Sequence, residues 1–364
     1  MSALPAAELV DDPGRRADLA RWLADRLDAS VTVTALGRPR SGYSAETAVV
    51  EAEVDGEPRR FVVRAQTPDP PIYPRQGSVT LDVEVQYRVM AALAGHSDVP
   101  VAPLIGFETG DEPWGAPFFV MGHVDGEVPV ESPPYPSEGF FAEATPEGRE
   151  TLVLSAIEVL AAVHRVDWRG AGLDWLLPAD GSPPGTAHQL GLWRGYAEVE
   201  LDGRPFPELD DAFVWVAAHL PADEPVTLCW GDGRPGNVIF GPDLRPLCAT
   251  DFEAVAIASP DQDLGWWLMF DRTMHENAWG HERTDRPPGE PTRAEQVAHY
   301  AAVAERDPAA LDVHEVFAAA RYAAIVVRVM NRLVARGDVD ADHTIWRENP
   351  AAACLVALVA ERVR

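Results

Sequence analysis

Residues 230 to 240 read W-G-D-G-R-P-G-N-V-I-F, and residues 249 to 253 read A-T-D-F-E. No other feature constrains the fold of this chain as much. V-T-L-C before Trp230 is a short buried strand. V-I-F at 238 to 240 and P-L-C-A-T at 246 to 250 are two more, joined by a G-P-D-L-R turn. Asp232 therefore sits in a loop that leads into a hairpin, with Asn237 just before its first strand and Asp251 just after its second. Such a hairpin brings Asn237 and Asp251 together despite their separation in sequence. Gly231, Gly233 and Gly236 let the loop turn sharply with its backbone close to a ligand. Singly, Asp and Asn are ordinary turn residues; it is the set that points to chemistry.

A carboxylate, a carboxamide and a second carboxylate around one loop suit the transfer of a phosphoryl group. Asp232 is the candidate catalytic residue, able to orient an acceptor hydroxyl and take its proton as the bond to phosphorus forms. Its pKa need not be raised, because this chemistry relies mostly on positioning. Asn237 and Asp251 are candidate ligands for Mg²⁺, a hard ion that prefers oxygen. The chain has no G-x-S-x-G, H-E-x-x-H or G-x-x-x-x-G-K-[ST], which removes the common serine hydrolase, zinc protease and P-loop classes.

Along the chain the hydrophobic period changes. Residues 15 to 28 read as an amphipathic helix, followed by strand candidates at 31 to 36, 48 to 54 and 59 to 65. A proline-rich loop spans 67 to 77, a helix 83 to 94, and further strands lie in P-V-A-P-L-I-G-F-E-T and P-F-F-V-M-G-H-V. Beyond a Gly-, Glu- and Pro-rich hinge the pattern is helical, with helices predicted at 151 to 166, 191 to 199, 208 to 219, 293 to 304, 313 to 335 and 350 to 362. Residues 272 to 295, charged and rich in Gly and Pro, predict a surface excursion. The expected architecture is α+β, with an antiparallel sheet lobe over residues 1–124 and a mainly helical lobe over 125–364.

Length and composition fit this. The 364 residues suffice for two lobes with real cores. A formal charge of −28, from 58 acidic against 30 basic residues, argues against nucleic-acid partners. No apolar run is long enough to span a bilayer, and the N-terminus lacks the pattern of a signal peptide. Three dispersed cysteines fit neither a zinc pattern nor a disulfide framework, so a reduced, cytoplasmic setting is expected. Oligomeric state stays open.

The motifs resemble those of the aminoglycoside phosphotransferase and choline-kinase-related family, which has a protein-kinase-like fold. Its hallmark is H-G-D-x-x-x-x-N, then D-[FW]-E, then D-P-x-x-D-L. Here these stand as Trp230-Gly-Asp232-x4-Asn237, Asp251-Phe-Glu253 and Ser259-Pro-Asp-Gln-Asp263-Leu264. The D-F-E form is most similar to the branch associated with acyl-CoA dehydrogenases. The resemblance implies Asp232 as base, Asn237 and Asp251 as Mg²⁺ ligands, and Asp263 as support for the loop. It implies ATP or GTP as phosphoryl donor. Ser41, Gly42 and Ser44 stand where the family has its nucleotide loop. Arg64 stands on the phosphate-contacting strand, with Glu84 as its expected partner. Residues 119 to 123, Met121 and His123 among them, are expected along the adenine edge. Trp230 replaces the family's His and is expected to pack rather than donate a proton. His164, on an apolar helix, reads as a core histidine.

Two classes of function follow. One is a kinase for a small-molecule hydroxyl: an aminoglycoside, another amino-alcohol, a sugar or a hydroxyacyl compound. For an acyl acceptor, Trp193, Trp266 and Trp267 are candidate walls of an apolar groove. The other is a nucleotide-binding pseudokinase acting as an interaction module. A protein kinase fits less well, because no separate activation-loop and A-P-E arrangement follows D-F-E.

Overall fold

The computed structural model describes residues 12–37, 46–276 and 284–363. Helix α1 (Pro13–Leu27) starts at Asp12, whose carboxylate accepts from the Arg15 N–H. Strands β1 (Val31–Gly37), β2 (Glu46–Val54) and β3 (Glu57–Ala65) form a meander, and helix α2 (Asp82–His96) precedes β4 (Leu104–Glu108) and β5 (Phe118–Gly122). The five strands form one antiparallel sheet in the order β1-β2-β3-β5-β4.

Strand alternation decides what each face of this sheet meets. Phe61, Val63 and Ala65 of β3, with Phe118 and Val120 of β5, join Leu19, Trp22 and Leu23 of α1 in one buried cluster. Burying each large side chain contributes roughly 1.5–3 kcal/mol. The intervening residues face the other way. Phe119 packs into the main core beside α2, and Arg64 is thereby turned away from the α1 layer.

The helical part begins with α3 (Phe140–Glu143) and α4 (Pro146–His164), followed by α5 (Thr186–Leu201) and α6 (Pro207–Ala218). Two small antiparallel pairs follow: β6 (Thr227–Cys229) with β9 (Ala256–Ala258), and β7 (Val238–Phe240) with β8 (Pro246–Ala249). Helices α7 (Pro260–Glu276), α8 (Arg293–Ala304), α9 (Leu311–Arg336) and α10 (Pro350–Arg362) complete it. The α+β architecture is as expected. Two local readings change. The stretch from 272 onward begins as the end of α7, and Glu290 within the supposed surface excursion is buried. Among the described residues, no helix is long and apolar enough to cross a membrane.

Candidate active site

The β7–β8 hairpin forms as the turn chemistry predicts, with Val238 opposite Ala249. Its open end is tied by Thr250, whose N–H and hydroxyl both donate to the Asn237 carbonyl at 2.9 and 3.0 Å. Asn237 and Asp251 are thus neighbours across the hairpin. The Asn237 amide donates from Nδ2 to the Asp232 carbonyl and to Asp232 Oδ2, both at 2.8 Å. That leaves its carbonyl oxygen as the atom it can offer a cation. Asp251 has a positive φ of 59°, and its Oδ1 is buried without a hydrogen-bond partner among the described residues. A partly buried carboxylate with one oxygen unpaired, on the same hairpin as an amide oxygen, fits a hard divalent ion.

Asp232 is 2% exposed. Its Oδ1 accepts from Trp266 Nε1 and Arg234 Nε, each at 2.9 Å. Its Oδ2 accepts from Asn237 and, at 3.3 Å, from the Tyr73 hydroxyl. Burial, then the charge of Asp251, pushes the Asp232 carboxyl up to about 8, against hydrogen bonds from Asn237, Trp266 and Tyr73 that pull it down. The expectation that this pKa need not be raised meets a site where it is raised. The Tyr73 phenol is itself held well above its ordinary value by burial, then by Asp232, Asp251 and Glu253.

The loop is held from behind by α7. Asp263 accepts from the N–H groups of Trp230 (2.5 Å) and Gly231 (3.0 Å) and contacts His164 Nε2 at 3.2 Å. His164 Nδ1 meets the Tyr300 hydroxyl at 2.7 Å, so this histidine is a partnered core residue. Gly231 has φ +86°, and a Cβ there would lie 2.0 Å from the Ala254 carbonyl oxygen. Trp230 is fully buried, stacks on Phe252 at 5.3 Å, and donates from Nε1 to the Thr250 carbonyl at 2.9 Å. It packs, as its apolar surface predicts.

Two expectations need correction, the Arg64–Glu84 pair and the tryptophan-lined groove. Arg64 does not pair with Glu84. It donates to Glu253 Oε1 at 2.8 Å and lies 3.9 Å from Asp251. Glu84 pairs with Arg88 one turn along α2. The residue that α2 sends to the site is Gln86, whose Nε2 donates to the same Glu253 oxygen at 3.0 Å. Positions 84 and 86 lie about 200° apart around a helix of 3.6 residues per turn, so only one can face the site. Along the supposed adenine edge, the N–H groups of Gly122 and His123 donate to Pro103 and Arg60 carbonyls at 2.7 and 3.1 Å. Burial, then Arg60, lowers the His123 imidazole, which lies 3.6 Å from Asp125. Met121 is half-buried against the main core. Trp193, Trp266 and Trp267 are buried and hydrogen-bonded inside the protein, so they are not walls of an open groove. Ser41, Gly42 and Ser44 lie outside the described residues.

Two residues at the site, Arg234 and Tyr73, escaped sequence reading, and a third, Trp266, was read only as a candidate groove wall. Arg234 stands two positions after Asp232 and pairs with both Asp232 and Glu131; its place in the loop was a usable signal. Trp266 follows Asp263 by one helical turn on the same face of α7. Tyr73 lies in the proline-rich loop, where nothing local marks it.

With this geometry in view, the comparisons are direct. The phosphotransferase enzyme family model matches residues 36–314, and the chain belongs to that family. A Ralstonia eutropha protein described as an aminoglycoside phosphotransferase superposes with a TM-score of 0.68 at 22% identity, over 95% of this chain and 98% of its own. A macrolide 2′-phosphotransferase type I gives 0.57 at 18% identity, over 96% and 99%. An aminoglycoside phosphotransferase in complex with GDP and kanamycin gives 0.58 at 14%, over 94% and 99%. These likenesses establish the two-lobed, kinase-like fold. Mouse acyl-CoA dehydrogenase family member 10 is 27% identical over 50% of this chain, and rat family member 11 is 26% identical over 43%. The matches span only 16% and 19% of those relatives' own lengths.

Proposed function

We propose that this chain transfers the γ-phosphoryl group of ATP or GTP to a hydroxyl of a small molecule, with Mg²⁺, in a cleft between lobes that divide near residue 124. The observation that carries this is the convergence of Asp232, Asn237 and Asp251 on one hairpin, with Arg234 and Arg64 beside them. Asp232 orients the acceptor O–H and takes its proton as the oxygen–phosphorus bond forms. The bond from the γ-phosphorus to the bridging oxygen breaks, and the nucleoside diphosphate leaves. Asn237 Oδ1 and the Asp251 carboxylate would hold magnesium, which when bound neutralises phosphate charge. Arg64 and Arg234 supply positive charge, and Glu253 with Gln86 fixes Arg64. Family membership and neighbours captured with a nucleotide support the reading.

The competing reading, a nucleotide-binding module without catalysis, drew on Trp230 and on the incomplete glycine loop at 41 to 44, which lies outside the described residues. The buried stacking of Trp230 leaves the Asp232 loop intact, which favours the enzyme. The named neighbours include one captured with GDP and kanamycin and one named a macrolide 2′-phosphotransferase. The acyl-CoA dehydrogenase relatives keep a hydroxyacyl acceptor in contention. The test is incubation with Mg²⁺-ATP or Mg²⁺-GTP and a pool of aminoglycosides, macrolides, sugars and hydroxyacyl compounds, read by mass spectrometry for a gained phosphoryl group. Wild type should yield a product, and Asp232→Asn should lower turnover at least about a hundredfold, the scale of a lost general base. Equal product from the variant would overturn the assignment of Asp232.

A further inference from the structure

A carboxylate offers about four lone-pair sites for hydrogen bonds. In Asp232 all four have a donor: Trp266 and Arg234 on Oδ1, Asn237 and Tyr73 on Oδ2. Three of these donors belong to the frame of the site. Trp266 is a buried side chain of α7, Arg234 is braced by Glu131, and Asn237 closes the hairpin. The fourth, Tyr73, is a hydroxyl, the group that the proposed reaction brings to Asp232. An acceptor O–H that is to donate to this carboxylate therefore has one position open to it by displacement, and Tyr73 occupies it.

Tyr73 is not there by chance of a loose loop. The sequence P-P-I-Y-P places prolines at 70, 71 and 74, which restrict the backbone on both sides. The helical lobe grips this strap from beneath. Tyr196 donates its hydroxyl to the Ile72 carbonyl at 2.6 Å. On α9, Arg328 and Arg332 donate to the Pro71 and Pro70 carbonyls at 3.4 and 2.5 Å, and Arg336 pairs with Asp69. These arginines recur every four residues, so they form one row along the helix. Beyond Tyr73, Arg75 donates to the Glu253 carbonyl at 2.6 Å, and Gln76 donates to the Leu176 and Ile257 carbonyls at 2.8 and 3.1 Å. The strap delivers one hydroxyl to one oxygen.

We propose that Tyr73 is the resident occupant of the acceptor-hydroxyl position, keeping water off Asp232 until an acceptor displaces its O–H. This rests on the kinase reading. Its consequence is specificity: water, a small hydroxyl acceptor always present, is excluded from the base, while an acceptor with enough binding energy to move the phenol gains access. Tyr73 is then a positioning residue that suppresses wasteful nucleotide hydrolysis.

The test is release of inorganic phosphate from Mg²⁺-ATP and Mg²⁺-GTP by the full chain without acceptor. Tyr73→Phe keeps the ring and removes the hydroxyl. It should raise acceptor-free hydrolysis about fivefold, the change that about 1 kcal/mol corresponds to. Tyr73→Phe with Asp232→Asn should abolish that gain. Arg332→Gln, which loosens the strap from a distance, should give a smaller rise in the same direction. Unfolding temperature, measured for each variant, shows that the fold is kept. Hydrolysis unchanged or lowered in folded Tyr73→Phe overturns the proposal. So does a phosphoryl group found on Tyr73 of wild type, which would make it an acceptor rather than a guard. A parallel reaction with the acceptor pool separates the two levels. Wild type that phosphorylates an acceptor, with no extra hydrolysis from Tyr73→Phe, sinks the guard alone. If neither protein transfers nor hydrolyses under any condition, the kinase reading falls and the guard falls with it.

Discussion

Asp263 does at residue scale what the loop cannot do alone. Gly231 carries a positive φ, and its N–H would be orphaned in the core without an acceptor. Asp263 supplies it with one oxygen and supplies Trp230 and His164 with the other. Asp263→Asn keeps one carbonyl oxygen but presents an NH₂ group to a backbone N–H. The expected result is a loss of about 1–3 kcal/mol in stability, the cost of a buried unsatisfied donor. It should also lower kcat while leaving the nucleotide KM nearly unchanged, because Arg64 and Asp251 are held by other elements. Urea unfolding and steady-state kinetics together check this. The juxtaposition of Asp232, Asn237 and Asp251 was legible because their spacing is short and the hairpin between them has ordinary turn chemistry, whereas Asp263 came only through the resemblance. The partner of Arg64 was not, since Glu253 is 189 residues away and nothing local ties the two. A nearby acidic residue on the right helix was the natural choice, and helical phase turned it aside.

Among elements, α7 was the least visible. Its charged end, followed by a Gly- and Pro-rich stretch, reads as surface, yet Asp271, His275 and Glu290 are buried there with their charges paired. Asp271 pairs with Arg286 at 2.5 Å, Arg286 reaches Glu290 at 3.2 Å, and Glu290 meets His275 Nε2 at 2.9 Å. Polarity measured along a sequence cannot reveal pairing across 15 residues. The same network yields a pH prediction. Burial lowers the His275 imidazole, but the hydrogen bond and charge of Glu290, with Asp271, outweigh it, so the net shift is upward. The folded state therefore holds this proton more tightly than the unfolded chain. The resulting stability is fully present below the ordinary histidine value of about 6.5 and is lost as pH rises through the raised folded value. His275→Gln should flatten the part of the Tm–pH curve that falls above about pH 6.5, with wild type and variant converging toward alkaline pH. Differential scanning fluorimetry from acid to alkaline buffer reads it. A variant curve parallel to wild type would mean that His275 does not titrate against Glu290.

For the whole molecule, the sheet meets the helical part through charged side chains. The sheet contributes Arg64, the hairpin contributes Asp251 and Glu253, and Asp232 lies among them with its pKa lifted partly by Asp251. Three carboxylates close together repel one another, so on the proposed reading a metal-bound nucleotide should stabilise the site. The α+β class was readable from the change of hydrophobic period along the chain, because a sheet and a helix bundle bury different patterns. The way the strap at 67 to 77 crosses from one lobe to the other was not, since prolines declare only that a segment is irregular. Asp251→Asn tests the coupling. It removes one of the like charges, and Asn tolerates the left-handed backbone that Asp251 adopts. The ligand-free variant should therefore melt above wild type. Saturating Mg²⁺-nucleotide, at about a hundred times Kd, should stabilise wild type by roughly 2.7 kcal/mol. The variant should lose the part of that gain that depends on Mg²⁺ and keep the part given by nucleotide alone. The two melting curves then cross in order: variant above wild type without ligand, wild type gaining more with it. If the variant responds to Mg²⁺ as wild type does, Asp251 does not hold the ion, and the assignment of the hairpin as the metal site fails.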